Sequence, residues 1–349
     1  MDKKITISIV GYNSRLKLQK SLDSVFNLKY PKSLIKVVLV DNDSTDSTVG
    51  FVREKYPQVK IIENYNNKGF AEANNQAYFL ALKNKSEYLL LLNDDAILDE
   101  NCLKRLVDHL EKHSQVAAIQ PKILLYPEKD KINSLGNSIH FLGFAFCNHY
   151  KEKDNIDDGQ VFKAPYVSGA VCLLRLSALK KTGLFDDKFF MYHDDVDLGW
   201  KLNLAGYQTV VDPLATAYHQ YNFSKAKYKF FYMDRNRLIT MLQNYSCLTL
   251  LVFFPAWLIM EIGIILFAIK NGWIVEKIKG YGSILYHLPS ILSHRLDVQF
   301  RIRKVKDKDI LKLYVGSIRF QEIDNLLLKY IVNPLMEIYF WLIKWIIVW

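Results

Sequence analysis

The chain has 349 residues, enough for one large domain or a catalytic domain with an appendage, and its 50% hydrophobic composition excludes a wholly disordered protein. A formal net charge of +10 admits nucleic acid or an anionic membrane surface as a partner, so the position of the charge, mostly in the C-terminal half, matters more than its total. Cys102, Cys147, Cys172 and Cys247 form no Cys-x-x-Cys pair, so neither a zinc site nor a disulfide framework is indicated and they read as ordinary buried thiols.

The opening residues enter a strand pattern at once, without the apolar stretch and cleavage site of a signal peptide, which sets the expectation of a cytoplasmic catalytic part. Predicted strands at Ile5 to Val10, Lys36 to Val40, Val59 to Glu63 and Tyr88 to Leu92 alternate with predicted helices at Arg15 to Asn27, Ser47 to Tyr56, Gly69 to Asn84 and Asn101 to His113. Such alternation predicts an α/β domain with a mostly parallel central sheet, whose ligands bind beyond the carboxyl ends of the strands. Polar loops fall at those ends: Gly11-Tyr12-Asn13, Asp41 to Asp46, Asn64 to Gly69 and Asn93 to Asp95. The stretch from 121 to 165 is irregular, and Val167 to Leu174 reads as another buried strand. Next comes Met191 to Leu198, which packs Asp194, Asp195 and Asp197 into four positions beside aromatics, a costly cluster unless a cation or a reaction uses it. A strand at Thr209 to Asp212 precedes Tyr218-His219-Gln220.

Beyond Tyr228 the composition changes. Leu248 to Ile269 is long and apolar enough to cross a bilayer, although Pro255, Glu261 and Gly263 weaken that reading; spanning and interfacial embedding are the leading alternatives, with a buried soluble helix behind them. A basic stretch containing Arg295, Arg301, Arg303, Lys304, Lys306, Lys308 and Lys312 suits an anionic leaflet. Leu326 to Trp349 is apolar and aromatic, fitting a span, an in-plane or re-entrant helix, or an amphipathic helix closing a soluble core or dimer interface.

Five motifs in order carry a family resemblance: Val40-Asp-Asn-Asp-Ser-Thr-Asp46, Asn64 to Ala71 with Asn74, Leu92-Asn-Asp-Asp95, Ser168-Gly-Ala170, and Phe189 to Leu198 before Ala205-Gly-Tyr207. From Ile5 to Leu242 the chain resembles an inverting glycosyltransferase of family 2 with the GT-A fold, most similar to rhamnosyltransferase-like and cell-surface polysaccharide members. The division expected is a catalytic domain at 1–242 and an α-helical membrane-associating region at 243–349.

The resemblance implies that Asp41 contacts uracil or thymine, while Asp41 and Asp43 also suit local Asx turns or helix caps, with Asp43 and Asp46 mainly capping. Tyr12 would flank the base with Asn13 as the nearby cap, and Lys68, Gly69 and Asn74 would complete the nucleotide pocket; without the family, Asn64 to Lys68 is a solvated turn. Asp95 and His219 are the implied ligands of Mg²⁺ or Mn²⁺, with Asp94 on the donor sugar or ribose; Asn93 stands where the family's acidic motif has a carboxylate. Asp195 is the implied general base and Asp194 its orienting neighbour, with Asp197 read as a helix N-terminal residue; capping alone explains one or two of these acids. Gly169 and Ala170 would leave room for the sugar, and His193 and Trp200 would bear on the acceptor.

These features imply transfer from a UDP- or dTDP-sugar to a lipid-linked or cell-envelope glycan, by an enzyme on the cytoplasmic face of the membrane. A polyprenyl-phosphate sugar synthase and a non-catalytic nucleotide-sugar-binding scaffold are the alternatives. No Gly-x-Gly-x-x-Gly follows the first strand, which disfavours a dinucleotide oxidoreductase, and the basic residues lie beside apolar runs, which disfavours nucleic acid. The sugar, the linkage and homo-oligomer formation are left open.

Overall fold

A computed structural model describes residues 2–155, 159–221, 226–319 and 325–349. In chain order the first elements are β1 (Ile5–Gly11), α1 (Leu18–Phe26), β2 (Ile35–Asp41), α2 (Thr48–Lys55), β3 (Lys60–Glu63), α3 (Gly69–Lys83), β4 (Tyr88–Asn93), β5 (Ala96–Leu98) and α4 (Cys102–Lys112). They are followed by β6 (Val116–Leu125), β7 (Ile132–Ser134), β8 (Asn137–Ile139), β9 (Ala145–Cys147), β10 (Phe162–Lys163), β11 (Val171–Arg175) and α5 (Leu176–Thr182). Then come α6 (Asp194–Leu204), β12 (Gln208–His219), α7 (Lys227–Asn244), α8 (Cys247–Lys270), α9 (Ile274–Tyr286), α10 (Leu288–Leu296), α11 (Asp307–Ile310) and α12 (Asn333–Ile346).

The chain forms two compact units. The first holds the residues up to Asn137, Cys147–Phe190 and strand β12; the second holds Ser138–Phe146, Met191–Gly206 and the helices from α7 onward. Thus α6 and α7, which lie before residue 243, pack with the C-terminal helices.

In the first unit the sheet runs β10-β12-β6-β11-β4-β1-β2-β3, with β5 on β12 and β7 on β6. Strand β1 is central because its β-branched residues Ile5, Ile7 and Ile9 are wholly buried, each contributing about 1.5–3 kcal/mol, and it pairs in parallel with both β2 and β4. Its opposite face carries Thr6 and Ser8, which burial makes costly unless they are bonded: Thr6 meets Ser86 Oγ at 2.9 Å and Ser8 donates to Asn74 Oδ1 at 2.7 Å.

Strands β3, β2, β1, β4, β6 and β12 run in one direction, as expected, and the sheet is mixed because β11 runs antiparallel between β4 and β6. Strand direction is set by how the chain returns, and a strand buried on both faces reads alike in either direction. The stretch read as irregular begins inside β6, whose ten residues are all buried, Gln120 and Lys122 included. Lys122 reaches Asp154 at 2.7 Å and Gln120 donates to Ser134 Oγ at 3.1 Å, so tertiary partners let polar residues occupy a central strand. Strand β11 begins at Val171, leaving Ser168 to Ala170 before the strand.

The second unit is helical. Arg237 of α7 pairs with Asp234 and with Glu261 of α8, both at 2.9 Å, while Lys277 of α9 reaches Asp234 at 2.6 Å and also Glu261. Two acids and two cations thereby neutralise one another, and breaking such a buried pair costs roughly 3–5 kcal/mol because a bare charge is left behind. At the start of α8, Asp307 accepts from the Ser246 N–H at 2.9 Å and the Thr249 hydroxyl at 2.6 Å.

Candidate active site

In the first unit, three strand exits position the polar groups. Strands β4 and β5 flank Asp94 and Asp95, and β12 ends at His219, paired with Ala96. The Asp95 Oδ1 and His219 Nε2 atoms stand 3.1 Å apart, and Lys17 Nζ lies 3.6 Å from Asp95 Oδ2. On its other side His219 Nδ1 is 3.0 Å from Asn133 Oδ1. An amide oxygen only accepts, so Nδ1 carries a proton and donates it, and in the neutral ring Nε2 keeps its lone pair. The Asn93 Nδ2 group, 3.4 Å from Nε2, can donate to it.

Two acceptors, the Asp95 carboxylate and the neutral imidazole, therefore face each other, and either a second ring proton or a metal cation must lie between them. This donor set fits Mg²⁺ or Mn²⁺: one carboxylate and one imidazole, with adjacent ligands of an octahedral ion at about 2.1 Å standing about 3.0 Å apart. Among the described residues no group of three or more His, Cys, Asp or Glu could hold a metal, so an ion on Asp95 and His219 would need further ligands from a phosphate or water. Burial raises the Asp95 carboxyl, but His219 and Lys17 outweigh that and hold it below its ordinary value. Asp94 goes the other way: burial, then the charge of Asp95, push it up to about 6, although its carboxylate accepts from the Ser14 hydroxyl.

At the end of β2, Asp41 is buried, and its Oδ2 accepts from the Ser44 N–H at 2.9 Å. Its Oδ1 is buried without a hydrogen-bond partner among the described residues, a costly state that an incoming N–H would relieve. Asn13, with φ 52°, reaches across instead of capping α1: its N–H donates to Ser44 Oγ at 2.9 Å and its Oδ1 accepts from the Thr45 N–H at 2.8 Å. Asp46 accepts from the Thr48 N–H at 3.2 Å at the start of α2 and from the Arg15 N–H at 3.0 Å. Tyr12 beside this loop is 53% exposed.

Gly69 opens α3 with φ +74°, and a Cβ there would stand 2.3 Å from the Phe190 carbonyl oxygen. Only glycine permits that approach, which lets the Phe70 N–H donate to the same oxygen at 2.6 Å. Lys68 pairs with Glu72 at 3.2 Å on the surface. Asn74 differs from its expected part: it is buried and committed on both ends, accepting from Ser8 and donating to the Phe70 carbonyl at 3.0 Å, so it props the loop from beneath. Gly169 and Ala170 precede β11, and the Ala170 carbonyl accepts from the Asn93 N–H at 2.9 Å, tying that turn to the acidic exit of β4.

In the second unit the acids stand at the N-terminus of α6, where the helix dipole favours negative charge. Tyr192 (φ 65°) and His193 (φ 63°) take left-handed backbone conformations that cost about 1–3 kcal/mol each and persist only where the surroundings hold them. Here Asn236 of α7 holds them, donating to the carbonyls of Met191 at 2.9 Å and Tyr192 at 2.8 Å. His193 Nε2 donates to the Gly143 carbonyl at 3.0 Å, and burial lowers its imidazole to about 4.

Asp194 is buried, and burial followed by the Asp195 charge raises its carboxyl well above the ordinary range. Asp195 is partly exposed. Asp197 is structural beyond its place in the first helical turn, pairing with Lys201 at 2.9 Å and accepting from Asn244 at 2.8 Å. Trp200 contradicts the acceptor expectation: it is wholly buried, with Tyr245 and Tyr314 edge-on at ring-centroid distances of 4.5 and 5.1 Å. Its place about two turns into a helix that is buried on nearly every side could not be told from a binding aromatic by residue type. Asn133, Ser14, Lys17 and Asn236 were missed, since nothing near them in sequence marks their partners.

The profile of the family described as Glycosyl transferase family 2 matches residues 6–183. The chain belongs to this family. Among its relatives is the poly-beta-1,6-N-acetyl-D-glucosamine synthase of Staphylococcus epidermidis, 26% identical over 218 residues, covering 60% of this chain and 48% of that protein. Another is the N-acetylglucosaminyl-diphospho-decaprenol L-rhamnosyltransferase of Mycobacterium tuberculosis (strain CDC 1551 / Oshkosh), 28% identical over 203 residues, covering 53% of this chain and 66% of that one. The glycosyltransferase thus spans about half the length of the first and two thirds of the second.

Solved structures with the same fold include GalNAc-T7 with UDP, GalNAc and Mn²⁺ (TM-score 0.58, 14% identity, 72% of this chain and 50% of that one). The S. aureus TarS fragment 1–349 aligns over 98% of this chain and 90% of its own, with TM-score 0.52 and 16% identity. The first unit is therefore a GT-A-like α/β fold with a mixed sheet.

Proposed function

We propose that this glycosyltransferase moves a sugar, with inversion, from a UDP- or dTDP-sugar to a hydroxyl of a lipid-linked or cell-envelope glycan at the cytoplasmic face of the membrane. The observation that carries the metal-dependent donor site is the pairing of Asp95 Oδ1 with His219 Nε2 at 3.1 Å while Asn133 fixes the proton on Nδ1. Those two residues would hold Mg²⁺ or Mn²⁺, which when bound offsets the charge of the leaving diphosphate. The Asp41 oxygen without a partner suits the imide N–H of uracil or thymine. Tyr12, Asn13, Lys68 and Gly69 frame the nucleotide, Asp94 serves the ribose or sugar, and Gly169 and Ala170 leave room for the sugar.

Asp195, the accessible member of the acidic pair, takes the acceptor proton as the new bond to the anomeric carbon forms and the bond to the diphosphate oxygen breaks. Asp194 orients it. Residues 1–242 carry the transfer and 243–349 attach the enzyme to the membrane; the relatives' names, a rhamnosyltransferase on a diphospho-decaprenol and a polysaccharide synthase, support an envelope acceptor.

The test is calorimetric titration of the detergent-purified chain with UDP, dTDP and GDP, each with and without Mn²⁺, together with turnover of Asp195→Asn. Metal-dependent binding of a pyrimidine nucleotide, retained by Asp195→Asn while transfer is lost, is the expected outcome. No binding under any condition, or equal turnover by the variant, refutes the assignment.

A further inference from the structure

The second unit presents an apolar outer face on helices that are neighbours: α12 touches α8, α8 touches α9, and α9 touches α10. On α8 the outward residues include Leu251 (71% exposed), Leu258 (44%), Ile262 (52%) and Leu266 (61%), and the same face continues to Ile269 near the helix end. On α12 they include Leu335, Ile338, Trp341 and Trp345, the last 74% exposed. Exposed Lys270, Lys279 and Lys344 stand on these helices, against one exposed acid on α12, Glu337. An apolar and aromatic face flanked by cations has the chemistry of an anionic bilayer surface.

Helix α8 has 24 residues, about 36 Å of helix, and by length alone it could cross the hydrocarbon. Its inward face forbids that. Thr249, near the start, is bonded to Asp307, which also pairs with Arg303 at 2.7 Å. Glu261, 12 residues further on, is held by Arg237, Lys277 and the Tyr281 hydroxyl. Arg237 belongs to α7, whose buried face also carries Asn236 and Asn244, the latter bonded to Asp197 of α6. If α8 stood along the membrane normal, this row of charges and the helices that supply it would enter the hydrocarbon with it, where ionised groups are costly. A helix that is polar-backed at its start and in its second half, and apolar along its outer side, satisfies both faces only by lying parallel to the surface.

We infer that α8 does not span: it lies in the membrane plane, and the adjoining outer faces of α8, α9 and α12 form one monotopic lipid-binding surface. This deepens the membrane association proposed above and is independent of the catalytic assignment. Cys247 opens α8 and is exposed, Cys102 and Cys172 are buried, and Asn271 follows the helix end and is exposed, so thiols at both ends can report its orientation.

The experiment adds the full chain from outside to sealed vesicles of phosphatidylglycerol and phosphatidylethanolamine. One variant is Cys147→Ser, keeping Cys247; the other is Cys147→Ser/Cys247→Ser/Asn271→Cys. The expected result is that a membrane-impermeant maleimide labels both ends before lysis, to within twofold. Protection of position 271 until the vesicles are lysed would show a span and overturn the inference. The triple variant Leu258→Glu/Ile262→Glu/Leu266→Glu, on the outer side only, should bind vesicles at least tenfold more weakly with unchanged nucleotide binding. Undiminished vesicle binding by that variant, or a lipid-free dimer that ignores vesicles, would also overturn it. Loss of nucleotide binding by the unmodified chain would refute the catalytic proposal alone.

Discussion

If Asp95 and His219 hold a metal as proposed, replacing Asn133 with leucine should weaken its binding without touching either ligand. The Asn133 oxygen, 3.0 Å from His219 Nδ1, keeps the ring proton on that side. In Asn133→Leu the Nδ1–H is left in a buried pocket with no acceptor, a loss of about 1–3 kcal/mol. The ring escapes that cost by moving its proton to Nε2, where Asp95 Oδ1 at 3.1 Å can accept it. With a cation on Nε2 the ring must instead keep its proton on Nδ1 and bear that loss, and residues that orient a histidine ligand are typically worth about 10- to 100-fold in metal affinity. We expect the Mn²⁺ dissociation constant, followed by electron paramagnetic resonance at saturating UDP, to rise by about that factor, equivalent to roughly 1.5–3 kcal/mol. Asn133→Asp retains an acceptor and should bind Mn²⁺ at least as tightly as the unmodified enzyme. An Asn133→Leu variant with unchanged Mn²⁺ affinity would show that the tautomer argument is wrong.

Asp41→Ala removes the buried acceptor and should weaken UDP binding by about 10- to 100-fold, roughly 1.5–3 kcal/mol for a charged hydrogen bond; an unchanged calorimetric isotherm would contradict the base contact. Gly69→Ala puts a Cβ 2.3 Å from the Phe190 carbonyl at a left-handed φ, so urea unfolding should show a loss of roughly 3 kcal/mol, and a loss below about 1 would refute the close approach. His193, lowered from 6.5 to about 4 by burial, excludes a proton that the unfolded chain binds. Its contribution is therefore complete above pH 6.5 and is lost as pH falls toward 4, amounting to roughly 3 kcal/mol. Urea unfolding at pH 7 and pH 4.5 should accordingly differ less in His193→Asn than in the unmodified chain; equal pH dependence in both would contradict a buried neutral ring.

The sequence alone determined the alternation of β1 to β4 with α1 to α4, because burial on a sheet and on a helix imposes different apolar periods, and those periods are local. It also determined the acidic strand exits, since Asp41 and Asp95 lie just past short apolar runs bounded by turn-forming residues, a pattern that favours strands. Strand direction, the burial of Gln120 and Lys122 within β6, and the place of Trp200 were decided by tertiary structure, because each depends on partners far along the chain. The same is true of the site's support. Asn133 meets His219 across 86 positions and Asn236 holds Met191 across 45, and such hydrogen bonds leave no trace in local composition. The apolar helix α8 shows the division most plainly: its length and hydropathy were legible in one dimension, whereas the pairing of Glu261 with Arg237 and Lys277, which fixes the face it can offer to lipid, exists only once three helices have packed.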